Sequence, residues 1–254
     1  MRSHVVLFGD SITEQSFKPN GWGSALANTY TRKVDVVVRG YGGYKSRWAL
    51  FLLQTLLVGY TNPPVAVTIF FGANDAALLG RTSERQHVPV EEYKENLRKI
   101  VHHFKELSPA MLVVIIIPPP IDEEGRNEYA RELSERTNEV TGVYAKQCIE
   151  LAKELGVYSI NLWSKMQETE GWQKKFLSSQ VLRNCTFFYG DGLHLTAEGN
   201  AIVHEEVVRV FSEGGLDATQ LASDYPHHSE IDPKNLEKSF QERSCTAGKN
   251  SKTT

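Results

Sequence analysis

A serine follows the first buried-strand pattern of the chain and occupies the position expected of a nucleophile. The apolar run Val5–Phe8 leads into Gly9, Asp10 and Ser11. Such a run predicts a short strand, and the glycine predicts the turn that ends it. Open α/β sheets bind ligands just beyond the carboxyl ends of their strands. Ser11 is therefore a candidate nucleophile, although Asp10 and Ser11 are also ordinary turn residues and fit a simple capped turn.

A second polar stretch, Asp191–His194, contains the base that a serine nucleophile would need. A serine hydroxyl attacks poorly at neutral pH unless a base accepts its proton and a third group orients that base. Asp191 lies three residues before His194, so its carboxylate could hold the imidazole in one tautomer. The alternative interpretation is that both side chains only decorate the entry to the following helix.

Further groups could donate the hydrogen bonds that stabilise a developing oxyanion. They are the backbone N–H groups of Ser11 and Gly43 and the side-chain amide of Asn74, each of which follows a predicted strand. Glycine lets a substrate approach the backbone closely, and asparagine is a neutral donor. The alternatives are a tight turn at Gly40–Gly43 and a cap at Asn74.

These candidates need a scaffold that brings several strand ends to one edge. Apolar runs alternate with helix-like segments, which predicts a parallel sheet with helices on both faces. We therefore expect an α/β fold with three layers, α/β/α, around a five-stranded parallel sheet. The predicted strands are Val5–Phe8, Val34–Val38, Val65–Phe71, Val113–Ile117 and Val157–Leu162; the predicted helices are Gly21–Arg32, Trp48–Val58, Pro89–Leu107, Glu128–Leu155 and a last one capped by Thr196, with a loop at Ile121–Asn127.

The composition is that of an ordinary globular protein. The 254 residues are 41% hydrophobic and 23% charged, with a formal net charge of −3. This balance gives no reason to expect nucleic acid as a partner, and no apolar stretch is long enough to predict stable membrane insertion. No secretory signal or metal-ligand spacing is recognisable, so we expect a cytoplasmic protein that needs no metal or organic cofactor. The cysteines, too few and scattered for a disulfide framework, are Cys148, Cys185 and Cys245.

The chain changes character after Gly214 and Gly215. Residues 216–254 contain two prolines, the pair His227 and His228, and an end rich in Ser, Thr and Lys. Such a segment predicts a loosely attached, partly disordered tail. We therefore predict one catalytic domain over residues 1–215 and a C-terminal tail over residues 216–254.

The polar stretches, in their order along the chain, resemble the four sequence blocks of the GDSL, or SGNH, hydrolases. Within that superfamily the chain is similar to isoamyl acetate-hydrolysing esterases and to plant GDSL esterase/lipases. The similarity extends over about residues 4–212, and four blocks in order are far more specific than any one of them. The blocks are Phe8–Thr13, Arg39–Tyr44, Phe71–Asp75 and Asp191–Leu195.

This resemblance implies a role for each candidate residue. It implies Ser11 as the nucleophile, His194 as the base and Asp191 as the partner of that base. It also implies Ser11, Gly43 and Asn74 as the oxyanion-hole donors and a flavodoxin-like sheet as the fold. Arg39 departs from the pattern, since many members have Asn there, which puts the outer hydrogen bonds of the second block in question but not Gly43.

The predicted function is that of a serine esterase, a carboxylic ester hydrolase that forms an acyl-enzyme and acts on a small-molecule ester. No lid-like amphipathic insertion or membrane-binding helix is visible, which favours short-chain acyl or acetyl esters. The alternatives with the same machinery are a GDSL lipase on longer acyl lipids and a carbohydrate O-acetyl esterase. An inactive binding module that keeps the fold is the alternative from another class.

Overall fold

The computed structural model describes residues 2–130, 134–178 and 191–240. Residues 179–190, with Cys185, and the end of the predicted tail, with Cys245, lie outside these residues. Cys148 is a free cysteine in the core.

Five parallel strands form one sheet in the order β2-β1-β3-β4-β5. This confirms the predicted α/β fold, and each strand lies close to its predicted range. The chain leaves β1 for one edge of the sheet and returns on the other side of β1, so a topological switch point lies between β1 and β3. Ligands bind at such switch points. The strands are β1 (His4–Gly9), β2 (Asp35–Gly40), β3 (Ala66–Phe70), β4 (Leu112–Ile117) and β5 (Tyr158–Asn161).

Helices cover both faces of the sheet and enclose two apolar cores. Successive residues of β1 point to opposite faces, so Val5 and Leu7 pack into one core while Val6 and Phe8 pack into the other. The α-helices are α1 (Ser11–Glu14), α2 (Trp22–Thr29), α3 (Ser46–Ala49), α4 (Val90–Leu107), α5 (Glu123–Ala130), α6 (Asn138–Leu155), α7 (Leu162–Gln167), α8 (Ala197–Glu213) and α9 (Leu236–Ser239). The first core also receives α2, α7 and α8, and the second receives α4 and α6.

The helix predicted over Trp48–Val58 is wrong. Only α3 is α-helical there; a 3-10 turn over Leu50–Leu52 and further turns follow it. The backbone hydrogen bonds of these turns join residues three apart, as from Thr55 N to Leu52 O, and Arg39 Nε donates to Leu56 O. Phe51 is 82% exposed, so the leucine-rich pattern does not bury all of its apolar residues.

The predicted loop Ile121–Asn127 and the predicted start of the next helix are also wrong. Residues Glu123–Ala130 form α5, and α6 begins only at Asn138. Asp122 Oδ1 accepts a hydrogen bond from Gly125 N, and two glutamates occupy the first turn, where the helix dipole favours negative charge. The side chain of Thr137 caps α6. Local capping at Asp122 and Thr137 therefore accounts for where the two helices begin.

The first part of the tail contacts the edge of the sheet where the strands begin. Tyr30 Oη donates to Leu216 O, and Arg32 donates to the carbonyl oxygen of Pro226. Arg2, just before β1, pairs with Asp224. This edge is opposite the one that carries Ser11. Within the described ranges, no helix is long and apolar enough to cross a membrane.

Candidate active site

Ser11 is the first residue of α1, directly after β1. Asp10 caps this helix, since its Oδ1 accepts a hydrogen bond from Ile12 N at 2.9 Å. The backbone N–H of Asp10 donates to Phe70 O at the end of β3. Helix α1 has only one turn, so the N–H of Ser11 has no partner within the helix, and no other described residue accepts from it. The capped turn thus presents both the hydroxyl and the N–H of Ser11 at the switch point.

His194 and Asp191 lie beside Ser11, although they are far from it in the sequence. His194 Nε2 is 2.9 Å from Ser11 Oγ, and His194 Nδ1 is 3.1 Å from Asp191 Oδ2. The other oxygen of Asp191 accepts hydrogen bonds from the backbone N–H groups of Leu193 and His194. These contacts form the arrangement in which an imidazole accepts a proton from a hydroxyl while a carboxylate orients the ring.

A tight turn at Gly192 holds the Asp191–His194 stretch in place. Gly192 donates to Leu177 O at 2.8 Å and accepts from Asp122 N at 3.0 Å. Its φ is +85°, and an added Cβ atom would lie 2.5 Å from Asp122 O. Only glycine fits both the backbone conformation and the space.

Gly43 lies in the loop after β2, with a φ of +73°. The carboxylate of Glu14 accepts a hydrogen bond from Gly42 N at 2.7 Å, and Gln86 Nε2 donates to Gly43 O at 3.0 Å. Within the described part of the chain, the N–H of Gly43 has no hydrogen-bond acceptor. The loop is therefore fixed on two sides while one of its donors stays available.

Asn74 lies just beyond β3 and is 3% exposed. One hydrogen of its amide donates to Tyr44 O at 2.9 Å, and its Oδ1 accepts from Arg136 Nη2 at 3.0 Å. These partners define which end of the amide is nitrogen, and no group in the described part of the chain accepts from the second hydrogen. The structure thus brings all the predicted site residues to one edge of the sheet.

Several polar residues that the sequence reasoning missed surround this site. Arg126 Nη1 donates to Asp191 Oδ2 at 2.6 Å, and Glu135 accepts from both Arg126 and Arg136. Nothing in the sequence distinguishes these two arginines from the other basic residues, because they act through a fold-dependent ion network. Glu14 was more accessible to prediction, since it follows Ser11 by three residues in a short helix.

The surroundings of the buried acidic groups shift their pKa values in opposite directions. Burial alone would raise the pKa of Asp191, but hydrogen bonds and charge from His194 and the charge of Arg126 hold it well below its usual range. Asp191 is therefore a carboxylate at neutral pH. Burial raises the pKa of Asp10 to about 7 and that of Asp75 to about 6. Asp75 accepts from Ser46 N at 2.9 Å, which partly offsets the effect of burial.

Two other residues near the site, Trp22 and Arg39, make contacts that support the fold. Trp22 is fully buried in the first core, and its Nε1 donates to Ile12 O. Arg39 donates to Leu56 O and Val38 O, so its departure from the family pattern affects the neighbouring turns and not Gly43 directly. Among the described residues, no group of three His, Cys, Asp or Glu side chains could hold a metal ion.

Comparisons with known proteins agree with this fold. The profile of the GDSL-like lipase/acylhydrolase family matches residues 5–207. A GDSL esterase/lipase of Arabidopsis thaliana is 61% identical over 96% of this chain and 99% of its own length. An isoamyl acetate-hydrolyzing esterase homolog of Bos taurus is 40% identical over 78% and 77% of the two chains.

A solved structure shows the same architecture. The crystal structure of the lipase/acylhydrolase from Enterococcus faecalis superposes with a TM-score of 0.66 and 25% identity, and covers 89% of this chain and 100% of that one. The family match over most of the chain, together with these relatives, shows that the chain belongs to the GDSL, or SGNH, hydrolases and is a carboxylic ester hydrolase.

Proposed function

We propose that this protein is a serine esterase in which Ser11 is the nucleophile, His194 the general base and Asp191 the group that orients the base. The observation that carries the proposal is the continuous hydrogen-bonded series from Ser11 Oγ through the imidazole to the buried carboxylate. The unused N–H groups of Ser11 and Gly43 and the free amide hydrogen of Asn74 support it. A binding module would have no need for all of these groups together.

In the first half of the reaction, Ser11 Oγ attacks the carbonyl carbon of the ester while His194 Nε2 accepts its proton. The negative charge that develops on the carbonyl oxygen is stabilised by the donors of Ser11, Gly43 and Asn74. The tetrahedral intermediate then collapses. The C–O bond to the alcohol breaks, and the imidazolium returns the proton to the leaving oxygen.

In the second half, water replaces the alcohol. His194 accepts a proton from water, the hydroxide attacks the acyl carbon, and the bond to Ser11 Oγ breaks as the serine regains its proton. Asp191 stabilises the imidazolium in both halves without becoming protonated itself. Its low pKa is consistent with this role, because a carboxylate that stays ionised retains its attraction for the charged ring.

The acyl group that the site accepts is proposed to be short. The mammalian relatives are named for the hydrolysis of isoamyl acetate, an acetyl ester of a small alcohol. The plant relatives carry the broader name esterase/lipase. Lipase activity on long acyl chains is therefore the second candidate, and chain-length preference distinguishes the two.

The test is hydrolysis of p-nitrophenyl esters from acetyl to palmitoyl by the wild type and by Ser11→Ala. Ser108→Ala is the control, since this serine lies at the far end of α4. We expect Ser108→Ala to match the wild type, Ser11→Ala to be inactive, and rates to fall beyond short acyl chains. Rates that rise with chain length would favour a lipase. Activity retained in Ser11→Ala would show that Ser11 is not the nucleophile.

A further inference from the structure

The two loops that carry the proposed oxyanion donors are separate in the sequence, yet they must keep a fixed distance from each other. Gly43 follows β2, whereas Asn74 follows β3, and β1 lies between these strands. Each loop is short and has its own backbone turn. A preorganised oxyanion hole needs contacts that join the two loops, because donors that move independently of each other lose much of their effect on the transition state.

One buried guanidinium, that of Arg136, contacts the loop that carries Asn74. Arg136 is 2% exposed and lies just before α6. Its Nε donates to Ala73 O at 2.6 Å, and its Nη2 donates to Asn74 Oδ1 at 3.0 Å. Arg136 therefore holds both the backbone before Asn74 and the amide oxygen of Asn74 itself.

Gln86 extends the same contact to the second loop. Its Oε1 accepts from Arg136 Nη2, and its Nε2 donates to Gly43 O at 3.0 Å. The side chain of Lys45 adds a parallel connection, since its Nζ donates to Arg85 O. The segment that carries Gln86 thus fastens the Gly43 loop to the arginine.

The third nitrogen of this guanidinium, Nη1, faces Glu135 and the other half of the site. Arg136 Nη1 donates to Glu135 Oε1 at 2.6 Å, and the same oxygen accepts from Arg126. Arg126 in turn donates to Asp191 Oδ2. The buried charges therefore form one series that runs from the amide of Asn74 to the carboxylate beside His194.

We infer that Arg136 is a positioning residue that joins the two loops of the oxyanion hole through Asn74 and Gln86. This inference rests on the proposed esterase mechanism. A cation that donates to the amide oxygen of Asn74 keeps the amide from rotating and draws electron density away from its nitrogen. Both effects strengthen the hydrogen bond that the free amide hydrogen gives to an oxyanion. Arginine suits the position, because its planar fork serves several acceptors at fixed angles and its charge persists when it is buried.

The test is a double-mutant cycle with Arg136→Lys and Asn74→Ala, measured as kcat and KM for p-nitrophenyl acetate. Lysine keeps the charge but cannot reproduce the fork. We expect Arg136→Lys to lower kcat by about tenfold with little change in KM, below the loss of about 100-fold that follows removal of one oxyanion donor. In the Asn74→Ala background the same substitution should cost much less, because its principal target is gone.

Two further variants keep the test decisive. Arg32→Lys is the matched control, since Arg32 also donates to backbone carbonyls but contacts the tail. We expect its kcat to equal that of the wild type. Gln86→Met, at a partly exposed site, replaces Arg136→Lys if circular dichroism shows that the buried variant does not fold. It removes the donor to Gly43 O and should lower kcat while leaving KM unchanged.

The possible outcomes distinguish a failure of the inference about Arg136 from a failure of the proposed esterase mechanism. An equal loss of kcat from Arg136→Lys in both backgrounds would overturn the inference, because the arginine would then support the fold in general. Unchanged kcat in Arg136→Lys, or in Gln86→Met where that variant is used, would also overturn it. Activity that persists in Ser11→Ala would instead overturn the proposed mechanism.

Discussion

Asn74 has one amide hydrogen left for a substrate, because Tyr44 O already accepts the other. We expect Asn74→Ala to lower kcat by about 100-fold or more, as loss of one oxyanion donor does, with a much smaller change in KM. Hydrolysis of p-nitrophenyl acetate by the two proteins measures this. An unchanged kcat would remove Asn74 from the oxyanion site.

Asp10 is a buried carboxyl whose pKa is raised to about 7 by burial. Its Oδ2 atom has no hydrogen-bond partner within the described residues, so ionisation there is not compensated. The folded state therefore binds a proton more tightly than the unfolded state does. The resulting stabilisation is fully present below the unfolded pKa of 3.8 and is lost as pH rises toward 7.

Asp10→Asn tests this effect, because the amide retains an oxygen to cap α1 but cannot ionise. We expect the variant to gain stability relative to the wild type as pH rises from about 4 to about 8, by at most about 4 kcal/mol. Urea unfolding at several pH values measures the difference. A difference that does not change with pH would show that Asp10 does not titrate in this range.

At the scale of elements, the Asp191–His194 turn is the part of the site that depends most on backbone geometry. Gly192 combines a positive φ with a close approach to Asp122 O, whereas Gly171 has a φ of +69° and no atom within 4 Å of an added Cβ. Alanine variants at these two glycines separate the effect of backbone strain from the effect of a steric collision. Alanine costs about 1 kcal/mol of backbone strain at each position, but a collision occurs only at Gly192.

We expect Gly192→Ala to lower kcat by more than about tenfold, because the turn must move and carry His194 away from Ser11. Gly171→Ala should lose only stability and keep the kcat of the wild type. Kinetics and thermal unfolding of both variants check this. Equal kcat in the two variants would mean that the turn does not fix the position of the base.

The order of elements could be predicted from the sequence because alternating apolar runs and glycine-terminated strands are local signals. Because these signals are local, they also explain why two of the helix predictions were wrong. The run Trp48–Val58 has the composition of a buried helix, but its hydrogen bonds join residues three apart. The starts of α5 and α6 depend on Asp122 and Thr137 acting as caps, and such short polar side chains are common in loops too.

Three site residues were predictable because they lie in the segments that follow strands. Ser11, Gly43 and Asn74 follow β1, β2 and β3, so the parallel sheet brings them together. Asp191 and His194 were predictable from their spacing and from the fourth block of the family resemblance. Arg136 and Gln86 were missed, because each reaches the site by a side chain whose direction depends on how distant segments pack. A single sequence carries no signal of that packing.

At the scale of the whole molecule, the predicted boundary at residue 215 divides the catalytic machinery from the tail. Leu216 and Leu221 nevertheless pack against the first core, and Arg2 and Arg32 bind Asp224. These contacts lie at the edge where the strands begin. They should support the fold without touching the chemistry at the opposite edge.

A chain that ends at Gly215 tests this division. We expect a lower melting temperature, from loss of about 1–3 kcal/mol of apolar burial at residues such as Leu216, with kcat and KM retained by the folded protein. Differential scanning calorimetry and kinetics measure both quantities. Loss of kcat without loss of folding would show that the tail contributes to the site.

The most direct measurement of the central claim is mass spectrometry of the acyl-enzyme. The wild type and Ser11→Ala are mixed with p-nitrophenyl acetate, quenched in acid during turnover and digested. We expect one acetyl group on the wild-type peptide that contains Ser11, together with a burst of p-nitrophenol, and neither signal in the variant. Acetyl on another residue, or the same burst from Ser11→Ala, would contradict a covalent mechanism at Ser11.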